Sequence, residues 1–380
     1  MIKIMYVTGT RADYGLMKPT LKEINKHPKL DLSLIVTGMH LSRRYGYTIK
    51  EIKKDKFKIV AKVPILTTND SNANMAISMS KCLAEITKIL KKKNPQIVLL
   101  EGDRTESLAG AIAATLLNIP IFHLSGGDVS KSIDDSIRHA ITKFAHIHLP
   151  GTKKSAERIA KMGEEKWRIK IVGTPMNLNY DKKKASKENL KKAFNISFNK
   201  PVILVVQHSV TTQSKEVAIQ IKKTLMAIRA LKKETIIVYP NSDTGGKEMI
   251  DIINKHKNLK YLRIVKTIQN DLFMGLLDNI SVLVGNSSAG IVEAPFFNLP
   301  VVNIGLRQKG RERSGNVIDV NHNSKDIIRA IRKALTKKFR ENIKRGKNIY
   351  FSKKNVEKKV VDVLLHTKLN EKLLTKEMTY

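Results

Sequence analysis

The sequence is short of several things. It holds one cysteine, Cys82, in 380 residues, so no internal disulfide can form and a reducing cytoplasm is the expected setting. Aromatic residues make up 5% and there is one tryptophan, which leaves few rings for stacking on bases. No apolar run approaches the roughly 18 residues a membrane span requires. The opening MIKIMYVTGTRADYG has no cleavage pattern of a signal peptide and reads as a first strand. A soluble cytoplasmic protein with no membrane partner is expected.

Acid is scarce too. There are 34 Asp and Glu against 70 Lys and Arg, a formal net charge of +36. An excess of that size raises nucleic-acid binding as a reading. The lysines argue against it. They come as scattered pairs and triplets, at Lys91, Lys222, Lys337 and Lys358 among others, mostly in segments that read as helices. No aromatics interleave with them. The expectation is a solvated basic surface that attracts anionic small molecules and no nucleic acid.

What is present is a repeated unit. Nine short apolar strands end in Gly, Asn or Ser turns: IKIMYVTG, LSLIVTG, QIVLLEGD, IPIFHLSGG, HIHLPGT, PVILVVQHS, TIIVYPNSD, VLVGNSS and LPVVNIG. Most are separated by helix-length intervals. They are apolar on both faces, the pattern of a parallel sheet with helices on either side. The length favours two domains, and the rhythm breaks once, across the charged residues 181–200. The expected division is a first doubly wound domain over 1–180, a second over 200–350, and a helical segment over 351–380 packing back on the first. Ligands of such sheets sit at the carboxyl ends of the strands, and a cleft between two domains is a common place for them.

The polar clusters lie at those ends. TGTRADYG leads from a strand into a helix with Arg11 at the turn and Asp13 near the cap; it is not the G-x-G-x-x-G dinucleotide fingerprint. EGDRTES carries Asp103 and Arg104 after four apolar residues, either as site residues or as an ion pair fastening a loop. Glu101 and Glu106 read equally well as structural. HLSGGDVSKSIDDSIRHAITK brings Asp128 after a Gly-Gly turn. It then starts a helix on which Asp134 and Arg138, and Asp135 and His139, are four apart. Clustered like charges raise one another's pKa, so one of these acids is expected to be ready for proton transfer. In the second half, His208 ends one strand and Asn241 another. GNSSAGIVEAP places Ser287 and Ser288 at a helix start and Glu293 along it, where an anion and a ribose diol could be held. NIGLRQKGRER adds Arg307, Arg311 and Arg313, some of them plain surface charge. His146 and His148 alternate within a strand, fit no metal-ligand spacing, and read as structural. No metal is expected.

Taken together, TGTRADYG, VTGMH, GDR, HLSGGDVS…DDSIRHAITK, SVTT, GNSSAGIVEAP and NIGLRQKGRE resemble the UDP-N-acetylglucosamine 2-epimerases, most of all the hydrolysing branch that feeds sialic-acid-type sugar synthesis. The resemblance implies two Rossmann-like domains facing across a cleft, as in the glycosyltransferase-B fold. It implies a UDP-sugar substrate with water, no cofactor, and a homodimer or homotetramer. The family's catalytic acids fall on Asp103, Asp128 and Asp134, with His208 beside them. UDP contacts fall on Arg11, Gly15, Arg104, His208, Asn241, Ser287, Ser288, Glu293 and Arg307, with the main chain near Ile268 against the uracil. The reaction so implied converts UDP-N-acetylglucosamine to N-acetylmannosamine and UDP. Two features depart from the family pattern: Asp128 where a glutamate is common, and His208-Ser209 where His-Pro is common. They keep open a UDP- or GDP-linked 2,4-diacetamido-2,4,6-trideoxy sugar as the alternative. A glycosyltransferase of the same fold is the second alternative.

Overall fold

A computed structural model describes residues 1–175, 184–351 and 355–380. The boundary expected at residue 180 and the start of the charged stretch lie outside the described residues. The first sheet contains β1 (Ile2–Thr8), β2 (Leu30–Thr37), β3 (Ile59–Val63), β4 (Ile97–Glu101), β5 (Ile121–Leu124) and β6 (Ile147–Leu149). The second contains β7 (Ile203–Val206), β8 (Thr235–Val238), β9 (Leu262–Val265), β10 (Val282–Gly285), β11 (Val301–Ile304) and β12 (Val317–Val320).

The first sheet is ordered β3-β2-β1-β4-β5-β6 and the second β12-β11-β10-β7-β8-β9. Counted within its own half, the second repeats the order of the first. Every pairing is parallel. Each half is doubly wound, and its strand order reverses at β1/β4 or at β7/β10, the point where such sheets open a crevice.

Alternation along the strands explains why both faces are covered. Ile4 and Tyr6 of β1 enter one apolar cluster, while Met5 and Val7 enter another on the opposite face. In β7, Leu204 and Val206 face one cluster and Ile203 and Val205 the other. Period-two alternation with apolar residues in both phases leaves no face for water.

All nine strands read from the sequence are present. Three further ones, β3, β9 and β12, were not read. Each is an edge strand and only partly buried, so its sequence lacks the continuous apolar run of a central strand.

The C-terminal helix Val356–His366 lies against the first half. Its Val360 and Leu364 are buried in one cluster with Leu21 and Ile24 of the helix Arg11–Lys26. Arg168 fastens the following residues. Its guanidinium donates to the carbonyls of Leu373 at 2.7 Å, Lys372 at 3.0 Å and Thr375 at 2.7 Å. Among the described residues, no helix is long and apolar enough to cross a membrane.

Candidate active site

The carboxyl ends of β1, β4 and β5 face those of β7 to β11 across a cavity of about 230 Å³. The local turns aim side chains into it. At the end of β1, Thr10 caps the helix Arg11–Lys26: it accepts from Asp13 N, and Asp13 reaches back to the Thr10 backbone. That reciprocal cap fixes the chain where Arg11 enters the cavity wall. Past β5, Gly127 has φ +77°, and a Cβ there would sit 2.2 Å from Ser155 O. Only glycine fits such a turn, and the turn brings Asp128 onto Ser155 Oγ at 2.6 Å.

Asp103, Asp128 and Asp134 all line this cavity. Each meets an arginine. Arg138 pairs with Asp103 and donates to Asp128 O at 3.0 Å and to Asp135 Oδ1 at 3.3 Å. Arg311 donates to Asp128 Oδ2 at 2.6 Å, and Arg307 to Asp134 Oδ2 at 2.6 Å. Two expectations therefore change. Arg138 pairs with Asp135 and Asp103, not with Asp134. The acids also do not simply raise one another. Burial pushes Asp103 up, but Arg138 and Arg311 outweigh it and leave its carboxyl below the usual range. Burial likewise acts on Asp128 and is outweighed by Arg311 and by the hydrogen bond from Ser155. Of the three only Asp134 is raised, because its burial, with Asp103 and Asp243 nearby, exceeds the pull of Arg307; the expected effect of clustered acids holds for this one. The neighbours Asp103 and Arg104 do not pair. Arg104 turns to the other half and donates to Asp243 Oδ1 at 2.9 Å, with Glu106 Oε2 at 3.4 Å.

The opposite wall carries Arg307, Ser287, Ser288, Glu293, Asn241, Ile268 and His208. His208 accepts from Asn241 N at its Nδ1, 3.1 Å away. Burial and then Arg307 pull its pKa down to about 3. The imidazole is therefore neutral at pH 7, with its proton on Nε2. It can donate a hydrogen bond, but it is not an imidazolium that would protonate a leaving oxygen. Asn286 pins its backbone, accepting from His208 N at 2.7 Å and donating to His208 O at 2.8 Å. Ser288 stands at the start of the short helix Ala289–Val292 without a side-chain cap bond, while Ser287 Oγ accepts from Ala289 N at 3.3 Å. Glu293 is raised to about 7 by burial against the pull of Arg11. The Arg11 guanidinium lies 4.6 Å over the Phe273 ring.

One predicted contact falls elsewhere. Gly15 is buried where the helix Arg11–Lys26 meets Asn270, whose Oδ1 would be 2.8 Å from a Cβ at residue 15. It serves the approach of two elements and is absent from the cavity wall. His146 and His148 also lie off the cavity. His146 Nδ1 accepts from Ile121 N at 3.1 Å, and His148 Nε2 is 3.0 Å from Glu164 Oε2. Among the described residues, no group of three His, Cys, Asp or Glu is placed to hold a metal ion.

Four contributors were missed as site residues: Arg138, Arg311, Ser155 and Asp243. Arg311 was visible only as one of three arginines in a charged run, and nothing in the sequence said which would turn inward.

Two doubly wound halves of one strand order, closed over acids on one side and arginines and hydroxyls on the other, define an enzyme of glycosyltransferase-B-like architecture. The sequence profile of UDP-N-acetylglucosamine 2-epimerase matches residues 22–365. The chain belongs to the UDP-N-acetylglucosamine 2-epimerase family and is an enzyme of that type. It is 41% identical to UDP-N,N'-diacetylbacillosamine 2-epimerase (hydrolyzing) of Legionella pneumophila over 88% of this chain and 89% of that one. It is 35% identical to GDP/UDP-N,N'-diacetylbacillosamine 2-epimerase (hydrolyzing) of Campylobacter jejuni, over 90% and 89%. With UDP-N-acetylglucosamine 2-epimerase of Neisseria meningitidis the identity is 33%, over 88% of each. Among solved structures, UDP-GlcNAc 2-epimerase from Neisseria meningitidis bound to UDP-GlcNAc superposes with a TM-score of 0.81 at 19% identity, covering 96% of this chain and 100% of that one.

Proposed function

We propose that the protein is a hydrolysing 2-epimerase of a UDP-linked 2-acetamido sugar, releasing UDP and the free sugar with carbon 2 inverted. One observation carries the reading. Three aspartates from separate loops line a single cavity, opposite arginine, serine and histidine donors suited to a diphosphate. Under this reading Arg307, Arg104, Arg11, Ser287, Ser288 and the neutral His208 hold the diphosphate. Glu293 and Asn241 meet the nucleoside, and the main chain near Ile268 meets the base.

The chemistry follows from the charges. Hydrogen on C2 is weakly acidic, and an ionised carboxylate held close can remove it. Asp103 and Asp128 are the ionised candidates. As that proton leaves, the C1–O bond breaks and its electron pair departs on UDP, where fixed cations and N–H groups stabilise the charge. The product of this step is a glycal. Water then adds its oxygen to C1, and a proton returns to C2 on the opposite face. Two faces call for two acid–base groups.

For the sugar itself, the relatives' names favour the 2,4-diacetamido-2,4,6-trideoxy type. The two hydrolysing relatives at 41% and 35% identity carry that substrate in their names. UDP-N-acetylglucosamine, the sugar put first by the sequence motifs, is the second reading, supported by the 33% relative. Turnover with a panel of UDP- and GDP-linked amino sugars, with free sugar and nucleotide both quantified, tests the assignment. The diacetamido trideoxy substrate is expected to show the highest kcat/KM. Higher kcat/KM on UDP-N-acetylglucosamine reverses the order, and nucleotide release only when an acceptor is added contradicts the hydrolytic reading.

A further inference from the structure

One carboxyl on the cavity wall has no part in this scheme. Glu101 ends β4, two residues before Asp103, and is 7% exposed. Asp103, Asp128 and Asp134 each hold an arginine; among the described residues, Glu101 forms no ion pair. Its side chain instead shares a hydrogen bond with Ser125. Ser125 sits just past β5, on the same wall, with φ +60°.

The surroundings of the Glu101 carboxyl are acidic on three sides. Asp103 faces it from the following loop, Asp13 from the first helix and Tyr6 from β1, while Arg138 is the cation that acts on it from the helix Ile133–Phe144. On β5, the neighbouring strand, His123 is bonded to Gly102 O at 2.8 Å, and burial keeps it neutral. Burial first, then Asp103 and Asp13, push the Glu101 pKa to about 8. The cavity thus contains ionised aspartates and, beside them, a carboxyl that keeps its proton at neutral pH. A reaction that takes a proton from one face and returns one to the other needs such a pair.

We propose that Glu101 is a catalytic acid of this site, the group that returns a proton to C2 of the glycal. The inference rests on the hydrolytic 2-epimerase reading and names a donor for its second step. An aspartate removes the C2 proton while UDP leaves with the C1–O electron pair. Glu101 gives its proton to C2, and water adds its oxygen to C1 and releases a proton. Glu101 is then reprotonated and the aspartate deprotonated by exchange with solvent, so water is consumed and one proton is released overall.

The test compares wild type, E101Q and E101D in deuterated water on the best substrate of the panel. UDP, free sugar and glycal are each quantified. E101Q keeps the shape and can still bond Ser125, but it has no proton to give. It is expected to form free sugar about a hundredfold more slowly while UDP release continues and glycal accumulates. E101D is expected to restore part of the sugar formation. The acid is needed in its protonated form, so wild-type sugar formation should fall relative to UDP release as pH rises through about 8, and that change should be missing in E101Q. Thermal unfolding establishes that the variants are folded, and if E101Q is not, E101D decides: slowed sugar formation with some glycal supports the role, wild-type rate and products overturn it. E101Q that makes sugar at the wild-type rate, or loses UDP release and sugar formation in equal measure with no glycal, overturns the role as well. If the wild type leaves C2 protiated, the epimerase reading itself fails; if it labels C2 and E101Q behaves identically, only the Glu101 role fails.

Discussion

Arg138 is 1% exposed and reaches Asp103, the Asp128 carbonyl and Asp135 at once. A planar guanidinium suits that task because its donors fan out in fixed directions. It helps to hold Asp103 and Asp128 ionised as well as in place. Asp103→Asn and Asp134→Asn each remove one charge with little change of shape. Each is expected to lower kcat by about a hundredfold or more, with UDP affinity changed far less, as steady-state rates and UDP titration would show. Normal turnover in both variants would take them off the catalytic list. The acids themselves were legible: carboxylates just past apolar strands have no reason to be there unless a cleft opens above them. Their partners were not legible. The choice of Arg138 and Arg311 over the dozens of other cations is made by tertiary packing, and among the described residues a +36 chain buries only three arginines. The lysines read as surface are exposed, for example Lys91, Lys222 and Lys337, whereas Arg138, Arg168 and Arg307 are buried.

Secondary-structure elements were easier to read than contacts. Nine strands carry a β-branched run buried on both faces, and that signal survives without any tertiary information. β3, β9 and β12 lack it because an edge strand has a solvent side. The C-terminal segment is a second example. Its amphipathic pattern was plain in VEKKVVDVLLHTKL, but nothing in that stretch named Arg168 as its anchor, some two hundred residues away in the chain. Arg168 is 1% exposed and satisfies three carbonyls of the last turn. Arg168→Ala leaves those carbonyls without their donor, at a cost on the order of 3 kcal/mol. The expected result is a lower unfolding temperature and early proteolytic loss of the residues after His366. A variant that melts and resists protease like the wild type would show that the apolar contacts of Val360 and Leu364 hold the segment unaided.

At the scale of the whole molecule, the two halves repeat one topology and divide one task. Three ion pairs join them: Arg104 with Asp243 at 2.9 Å, Arg307 with Asp134 and Arg311 with Asp128 at 2.6 Å each. A backbone bond from Lys131 N to Arg307 O at 3.1 Å joins the same loops. Under the proposed function an entering diphosphate would compete with Asp134 for Arg307, so the grip on the nucleotide and the freeing of an acid would occur at one place. The central claim is that these carboxyls exchange the proton on carbon 2 of a nucleotide-linked sugar while the C1–O bond is broken. The most direct measurement is turnover in deuterated water followed by NMR of the released sugar. The account predicts free sugar carrying deuterium at C2, with that centre inverted and UDP released in equal amount. Free sugar that retains its original hydrogen and configuration at C2 would contradict it.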